Sequence, residues 1–297
     1  MKIGILILNY LAYEETIECV ESIKLQSYKD WEIIIVDNAS NNKSYDILQK
    51  EYFNDKNITV LKTENNLGFA KGNNFGLYEF SKKNIYKVLV INGDTEMNDI
   101  NYLQKLSEIE YSKNIGMIGT KIKTKDGLNQ NPLPVNLTNK KKIWQNRIEL
   151  ITLIFLVYSN LFNLIKLFKK KSKHVLSSNI IVNNKESKIL DPNQEMLHGS
   201  AILFTENYLN LYIGFYPETF LYYEEEFLAL ICRKLNFYQM YVPYLEIYHK
   251  EDSSSDLLYS NKLKSLKFKL KIIRKNISLY RKVFCFTREK IVEEMQK

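Results

Sequence analysis

Through residue 120 the chain alternates short apolar, β-branched runs with amphipathic segments, and this alternation restricts the fold more than any other feature. KIGILILN, WEIIIVDN, NITVLKT, KVLVING and IGMIGTKI are predicted strands. YEETIECVESIKLQ, KSYDILQKEYF, FAKGNNFGLYEFSKK and NDINYLQKLSEIEYS, which lie between them, are predicted helices. The first of these carries Ile17, Val20, Ile23 and Leu25 near helical spacing, with acids early and Lys24 late, as the helix dipole favours. Repeated βαβ units imply a mostly parallel sheet with right-handed crossovers and flanking helices. The expected class is α/β.

Two of the strands end in an acid, Asp37 in IIIVDNAS and Asp94 in LVINGDTE. Asn-Gly-Asp is ordinary turn chemistry, so a solvated turn is one reading of Asp94. A metal ligand is the other, because open α/β sheets bind ligands beyond the carboxyl ends of their strands. Parallel strands carry those ends to one edge, so Asp37 and Asp94 can converge. Between them NNLGFAKGNNFG supplies three glycines and two Asn-rich turns, which suit close approach of backbone to a ligand. It is neither the dinucleotide fingerprint nor a P-loop, so a nicotinamide cofactor and a P-loop ATPase are both disfavoured.

Beyond a polar stretch with Pro132 and Pro134 the character changes. Residues 148–168 are strongly apolar between basic flanks, but Glu149, Asn160, Asn163 and Lys166 argue against a spanning helix. An interfacial helix and a buried one both remain open. MLHGSAILF and YQMYVPYLEIYH are predicted strands, with a helix over YYEEEFLALICRKLNF between them. Glu224 and Glu225 open that helix. They are either partners of its dipole or a general base with an acidic neighbour. His249, one of 3 histidines, ends the last strand and is either structural or functional. The tail, 257–297, is basic with Leu263, Leu266, Leu270, Ile273 and Ile277 at helical spacing, so it packs on the domain or lies on a membrane.

The formal charge of +8 points to an anionic partner. The 3 cysteines are far apart and lack C-x-x-C spacing, which suggests neither disulfides nor a zinc site and fits a reducing cytosol. MKIGILILNY reads as a first strand rather than a secretory signal.

Taken in order, these segments resemble the inverting family 2 glycosyltransferases of the GT-A fold, especially the rhamnosyltransferase-like branch of bacterial surface polysaccharide synthesis. The likeness spans about residues 2 to 255. ENNLGFAKGNNFGL is its most specific part. LVINGDTEM resembles the family's metal-binding strand end, and HGSAILF, GFYPETFLYYEEEF and YLEIYHKEDSSS resemble its acceptor half.

The resemblance implies roles. Asn9, Tyr10, Asp37 and Asn38 would hold the nucleotide, with Asp37 on a uracil or thymine edge. Asn66, Gly68, Phe69, Asn73 and Asn92 would complete the nucleotide-sugar pocket. Asp94 and His249 would bind Mg²⁺ or Mn²⁺ at the diphosphate. Glu225 would be the catalytic base with Glu224 beside it, and Gly199, Ser200 and Tyr223 would face the acceptor. The implied reaction is transfer from dTDP-rhamnose or a UDP-sugar, with inversion, to a glycan on a polyprenyl diphosphate. The enzyme would be cytoplasmic and peripheral at the inner face of the plasma membrane, held to its anionic surface.

The expected organisation is a GT-A domain over 1–255 and a basic tail over 256–297. Within the domain, 1–120 would bind the nucleotide sugar, 141–175 would be an inserted apolar and basic helix, and 195–255 would carry the base. The chain departs from the family pattern at Asn92 and Gly93, where a second acid or a proline is usual. It departs again at Glu225, a longer base, and at Phe227, where a further acid is usual. These departures leave open a non-catalytic nucleotide-sugar binder. A nucleotidyltransferase is disfavoured because NYLAYEET, acidic and glycine-free, follows the first strand. A nucleic-acid binder is disfavoured because the cations cluster around apolar helices rather than an aromatic strip. Pairing of two subunits through the apolar helices is a further possibility.

Overall fold

The computed structural model describes residues 2–159, 186–250 and 262–296. Its centre is a nine-stranded mixed sheet. The first half supplies β1 (Ile3–Asn9), β2 (Trp31–Asp37), β3 (Ile58–Lys62), β4 (Val88–Asn92), the two-residue β5 (Thr95–Glu96) and β6 (Ile115–Thr124). Helices α1 (Tyr13–Lys24), α2 (Ser44–Glu51), α3 (Gly68–Lys82) and α4 (Tyr102–Ser107) alternate with them. After β7 (Leu133–Pro134) come α5 (Lys140–Tyr158), β8 (Lys188–Leu190), β9 (Glu195–Met196) and β10 (Ala201–Phe204). Next are α6 (Glu206–Leu209), α7 (Glu224–Leu235), β11 (Tyr238–His249), α8 (Lys262–Phe284) and α9 (Arg288–Met295). The sheet order is β3-β2-β1-β4-β10-β6-β11-β5, with β8 on β11, while β7 and β9 pair apart.

β1, β2, β3 and β4 are parallel, as the alternation implies. The continuous apolar runs of β1, β2 and β4 are buried on both faces, which is why they lack polar alternation. One core cluster holds Cys19, Val20, Leu48 and Leu106 from α1, α2 and α4. The opposite cluster holds Leu77 and Phe80 of α3 with residues of α7, α8 and α9. β10 runs antiparallel between β4 and β6, a reversal that the run AILF does not betray.

The register sets the functional edge. Asn9 lies opposite Asp37, and Leu8 opposite Asn92. β11 runs parallel to β6 with a shift between Val242 and Glu246. Its far end then pairs antiparallel with β5, His249 against Thr95. Lys250 N–H donates to the Asp94 carbonyl at 3.0 Å, so the end of β11 is stitched to the turn after β4.

The tail is not set apart from the domain. Tyr280, Val283, Ile291 and Met295 are fully buried in the main core. α8 packs along α5, with Leu150 and Val157 against Leu270 and Ile277. Of the apolar segment 148–168, residues 148–158 belong to α5, and 160–168 lie outside the described residues. Among the described residues no helix is long and apolar enough to cross a membrane.

Candidate active site

A cleft of about 1030 Å³ opens at the carboxyl edge of β1 and β4. Asn9, Tyr10, Asn38, Asn66, Gly68 and Phe69 line one part of it, with Asn92 and Asp94 at the end of β4. Gly199, Ser200, Tyr223, Glu224, Glu225 and His249 line the rest. The two halves of the chain therefore face one cavity.

Two expected residues do not line it. Asp37 is fully buried beneath the floor. Its carboxylate accepts from the Asn9 amide at 2.7 Å and from Ser40 N–H at 3.0 Å. Both oxygens are thus engaged by protein, and Asp37 sits beneath Asn9 instead of on the cleft wall. Asn73 is also buried, on the body of α3, where its amide donates to the Phe69 carbonyl one turn earlier at 2.9 Å.

The loop ahead of α3 is fixed by amides. Asn38 donates to Asn66 Oδ1 at 3.1 Å and to the Gly68 carbonyl at 3.2 Å, and it accepts from Leu67 N–H at 2.9 Å. Gly68 has φ +79°, and a Cβ there would lie 2.3 Å from the Phe220 carbonyl oxygen. Only glycine combines that conformation with that approach.

Asp94 and His249 meet through the β5–β11 pairing. His249 Nε2 lies 3.4 Å from Asp94 Oδ1. Gln130 Oε1 sits 2.8 Å from the other ring nitrogen, Nδ1. With Gln130 Oε1 accepting from Nδ1–H, a neutral ring would present its Nε2 lone pair toward Asp94. A carboxylate oxygen and an imidazole nitrogen, both electron-rich and turned toward each other, fit a divalent cation of the Mg²⁺ or Mn²⁺ kind. Among the described residues no third His, Cys, Asp or Glu completes a metal cluster. The remaining ligands would have to be oxygens of a bound substrate or water. Gly93 has a local cause as well, since a Cβ there would lie 2.8 Å from Thr16 Oγ1.

The glutamates that open α7 have three distinct environments. Glu226 is buried and accepts from Asn136 N–H at 2.7 Å and Leu137 N–H at 3.2 Å, so it anchors the segment before α5. Glu225 accepts from Gly199 N–H at 3.2 Å. A Cβ at Gly199 would lie 2.7 Å from that same oxygen, so glycine is what admits the carboxylate. Burial raises the Glu225 pKa, and the Gly199 N–H opposes the shift. Glu224 is buried, and its Oε1 has no hydrogen-bond partner. Burial, with Glu225 nearby, pushes its carboxyl up to about 8. Burial favours the protonated form of both carboxyls, and the Gly199 N–H favours the charged form of Glu225. Two neighbouring carboxyls in different surroundings are suited to separate acid and base roles. Phe227, at the position of the family's further acid, is a core residue stacked on Tyr216 at 5.1 Å.

The turn that presents these carboxyls is strained. Tyr222 and Tyr223 both adopt left-handed backbone, φ 69° and 74°. Asn276 of α8 holds this turn, its amide donating to the Leu221 carbonyl at 2.8 Å and the Tyr222 carbonyl at 2.7 Å. Asn276 and Gln130 reach the site from distant elements, and nothing local in their sequence marks them. His198 is a further unanticipated neighbour, its ring 5.8 Å from that of His249 and its Nδ1 3.0 Å from Ser200 Oγ.

Residues 4–170, more than half of the chain, match the family described as Glycosyl transferase family 2. An uncharacterized glycosyltransferase of Haemophilus influenzae is 29% identical over 167 residues, which is 51% of this chain and 50% of that one. The bifunctional glycosyltransferase pgtA of Dictyostelium discoideum is 26% identical over 117 residues, 39% of this chain and 15% of that one. The chain thus spans half or less of these curated relatives. Among solved structures, S. aureus TarS 1-349 superposes with a TM-score of 0.50 at 17% identity, covering 84% of this chain and 60% of that one. The mannosyltransferase PcManGT of Pyrobaculum calidifontis gives 0.53 at 10% identity, covering 98% and 72%. At such identities the likeness speaks for the fold alone, and that fold is GT-A. The match over residues 4–170 shows the family: the protein belongs to glycosyl transferase family 2.

Proposed function

We propose that the protein transfers a sugar from a nucleoside-diphosphate donor to a glycan hydroxyl with inversion, Glu225 serving as the base. One observation carries this reading: the Asp94–His249 pair and the Glu224–Glu225 pair line the same cleft. A sugar hydroxyl is a poor nucleophile, and a base must take its proton as the new bond forms. Glu225, made more basic by burial and held by the Gly199 N–H, suits that task, with Glu224 beside it. Asp94 and His249 would hold Mg²⁺ or Mn²⁺. Bound there, the ion would neutralise charge developing on the departing diphosphate.

The donor is dTDP-rhamnose or a UDP-sugar, in keeping with ENNLGFAKGNNFGL and the rhamnosyltransferase-like branch it resembles. TarS and PcManGT have been crystallised with UDP and with GDP-Man and Mn²⁺ respectively, which supports a nucleotide in this cleft. Selection of a pyrimidine falls to the loop that Asp37 holds in place, through Asn9 and Tyr10. The acceptor is a growing glycan on a polyprenyl diphosphate, met at the inner face of the plasma membrane by a peripheral enzyme.

The deciding experiment compares Glu225→Gln with Glu224→Gln on purified protein. Glu225→Gln should lower kcat by roughly 10²- to 10⁴-fold with donor affinity unchanged. Nuclear magnetic resonance of the product should show inverted anomeric configuration. Retention would reject the mechanism, and loss of activity in Glu224→Gln alone would move the base by one residue. A thermal-shift screen should favour UDP or dTDP over GDP, each with Mn²⁺.

A further inference from the structure

Among the described residues, helix α5 is covered on one face only. Leu150 and Val157 are buried against α8. On the other side Trp144, Ile148, Ile151, Phe155 and Tyr158 are all exposed, from 49% for Ile151 to 65% for Phe155. They recur at steps of four, three, four and three residues, which sets them in one stripe about 21 Å long. Single exposed apolar side chains are ordinary on a surface, but five in a line are not.

A cleft of about 610 Å³ lies between α5 and α8 beside this stripe. Arg147, Lys271, Arg274 and Lys275 line it above Leu150 and Ile277. The one acid on its lining, Glu218, is already ion-paired with Lys71 at 3.3 Å. Ile151 belongs to both stripe and cleft, and the Arg147 guanidinium lies 5.7 Å from the centre of the Trp144 ring. The apolar ridge and the cationic cleft are therefore one continuous surface.

Charge decides what covers it. A second copy of the chain could meet the stripe helix to helix, but would bring two sets of cations together. A nucleic acid would use the cations and leave the ridge in water. An anionic bilayer satisfies both. Trp144 and Tyr158 stand at the two ends of the stripe with Ile148, Ile151 and Phe155 between them, and amphipathic rings favour headgroup depth. The lysines and arginines would then meet lipid phosphates.

We infer that the α5–α8 pair is the surface by which the protein docks on an anionic lipid bilayer. The inference deepens the proposal of a membrane-borne acceptor and rests on that reading for its purpose. Asn146 of α5 and Phe268, Lys269 and Ile273 of α8 also line the active-site cleft. Docking on this pair would thus bring the mouth of that cleft to the lipid surface.

The chain has 2 tryptophans, and Trp31 is buried while Trp144 is exposed. The full chain carrying Trp31→Phe reports on Trp144 alone. With vesicles of phosphatidylglycerol and phosphatidylcholine, its emission should shift to the blue and be quenched by brominated acyl chains. The pair Ile151→Asp and Phe155→Asp should abolish binding at unchanged Tm. Each cation near an anionic leaflet strengthens partition about fivefold, so Lys271→Ala, Arg274→Ala and Lys275→Ala together should weaken it about a hundredfold. Inorganic phosphate at equal ionic strength should not displace the protein. Displacement by phosphate, or equal binding to an RNA duplex, would assign the cleft to a soluble anion instead. Blue emission before vesicles are added, or a dimer that Ile151→Asp dissociates, would make the stripe a protein interface and overturn the inference. Vesicle binding that these variants leave intact would overturn this surface and spare the membrane reading. No binding at low salt would remove both, and transfer to a soluble acceptor would test the enzyme reading separately.

Discussion

Asn276→Ala should disable the site from the far side of the molecule. Asn276 is 1% exposed and spends both amide hydrogens on the Leu221 and Tyr222 carbonyls. Those carbonyls belong to a turn whose two tyrosines are left-handed, a conformation costing on the order of 1–3 kcal/mol at each non-glycine residue. Two hydrogen bonds contribute about 2 kcal/mol net against that strain. Without them the turn can relax, and Glu224 and Glu225 follow it directly in sequence. A displacement of about 1 Å at a reacting group can cost about a hundredfold in rate. The variant should therefore lose about 2 kcal/mol of stability, a Tm decrease of roughly 3 °C for a chain of this length. Its kcat should fall by one to two orders of magnitude while the donor KM stays near that of the parent. Asn276→Asp should be worse on both counts, because it sets a carboxylate oxygen against a carbonyl. Circular dichroism melts and steady-state kinetics read both effects. A Tm loss with unchanged kcat would show that the turn keeps its shape without the clamp, and the reasoning would fail.

Gly199→Ala should cut activity sharply with a modest Tm loss, since its methyl group would meet the Glu225 carboxylate at 2.7 Å; full activity would mean that Glu225 does not work from this position. Glu224 titrates near 8 in the fold against 4.5 unfolded, so folding takes up a proton. The stability that comes with its protonation is complete below about pH 4.5 and is lost as pH rises through 8. Glu224→Gln should gain up to about 5 kcal/mol over the parent above pH 8 and nothing near pH 4, read from denaturant midpoints; parallel pH profiles would refute the burial argument. Asp94→Asn should weaken Mn²⁺ binding measured by calorimetry in the presence of UDP and abolish turnover, whereas full activity of the parent in excess chelator would remove the cation from the scheme.

What could be read from sequence follows the range of the interactions involved. β1, β2 and β4 are legible because burial on two faces leaves a continuous apolar run within one short segment. Asp94 is legible because a strand end carries it to the ligand edge whatever the rest of the chain does. Asp37 sits at an equivalent strand end and reads the same way. Its role differs because Asn9, 28 residues earlier, reaches back and closes on its carboxylate. Gln130 orients His249 from 119 residues away, and no local pattern could announce that. The tail posed the opposite problem. Leu263, Leu266, Leu270, Ile273 and Ile277 make the same stripe whether lipid or protein covers it. In the fold Leu270 and Ile277 are 3% and 2% exposed, because α5 lies on them. That packing leaves the tail with a structural task, the grip of Asn276 on the catalytic turn. The apolar face left open among the described residues belongs to α5, and the lipid-facing role we propose falls to that helix, with the tail contributing its cations rather than its leucines.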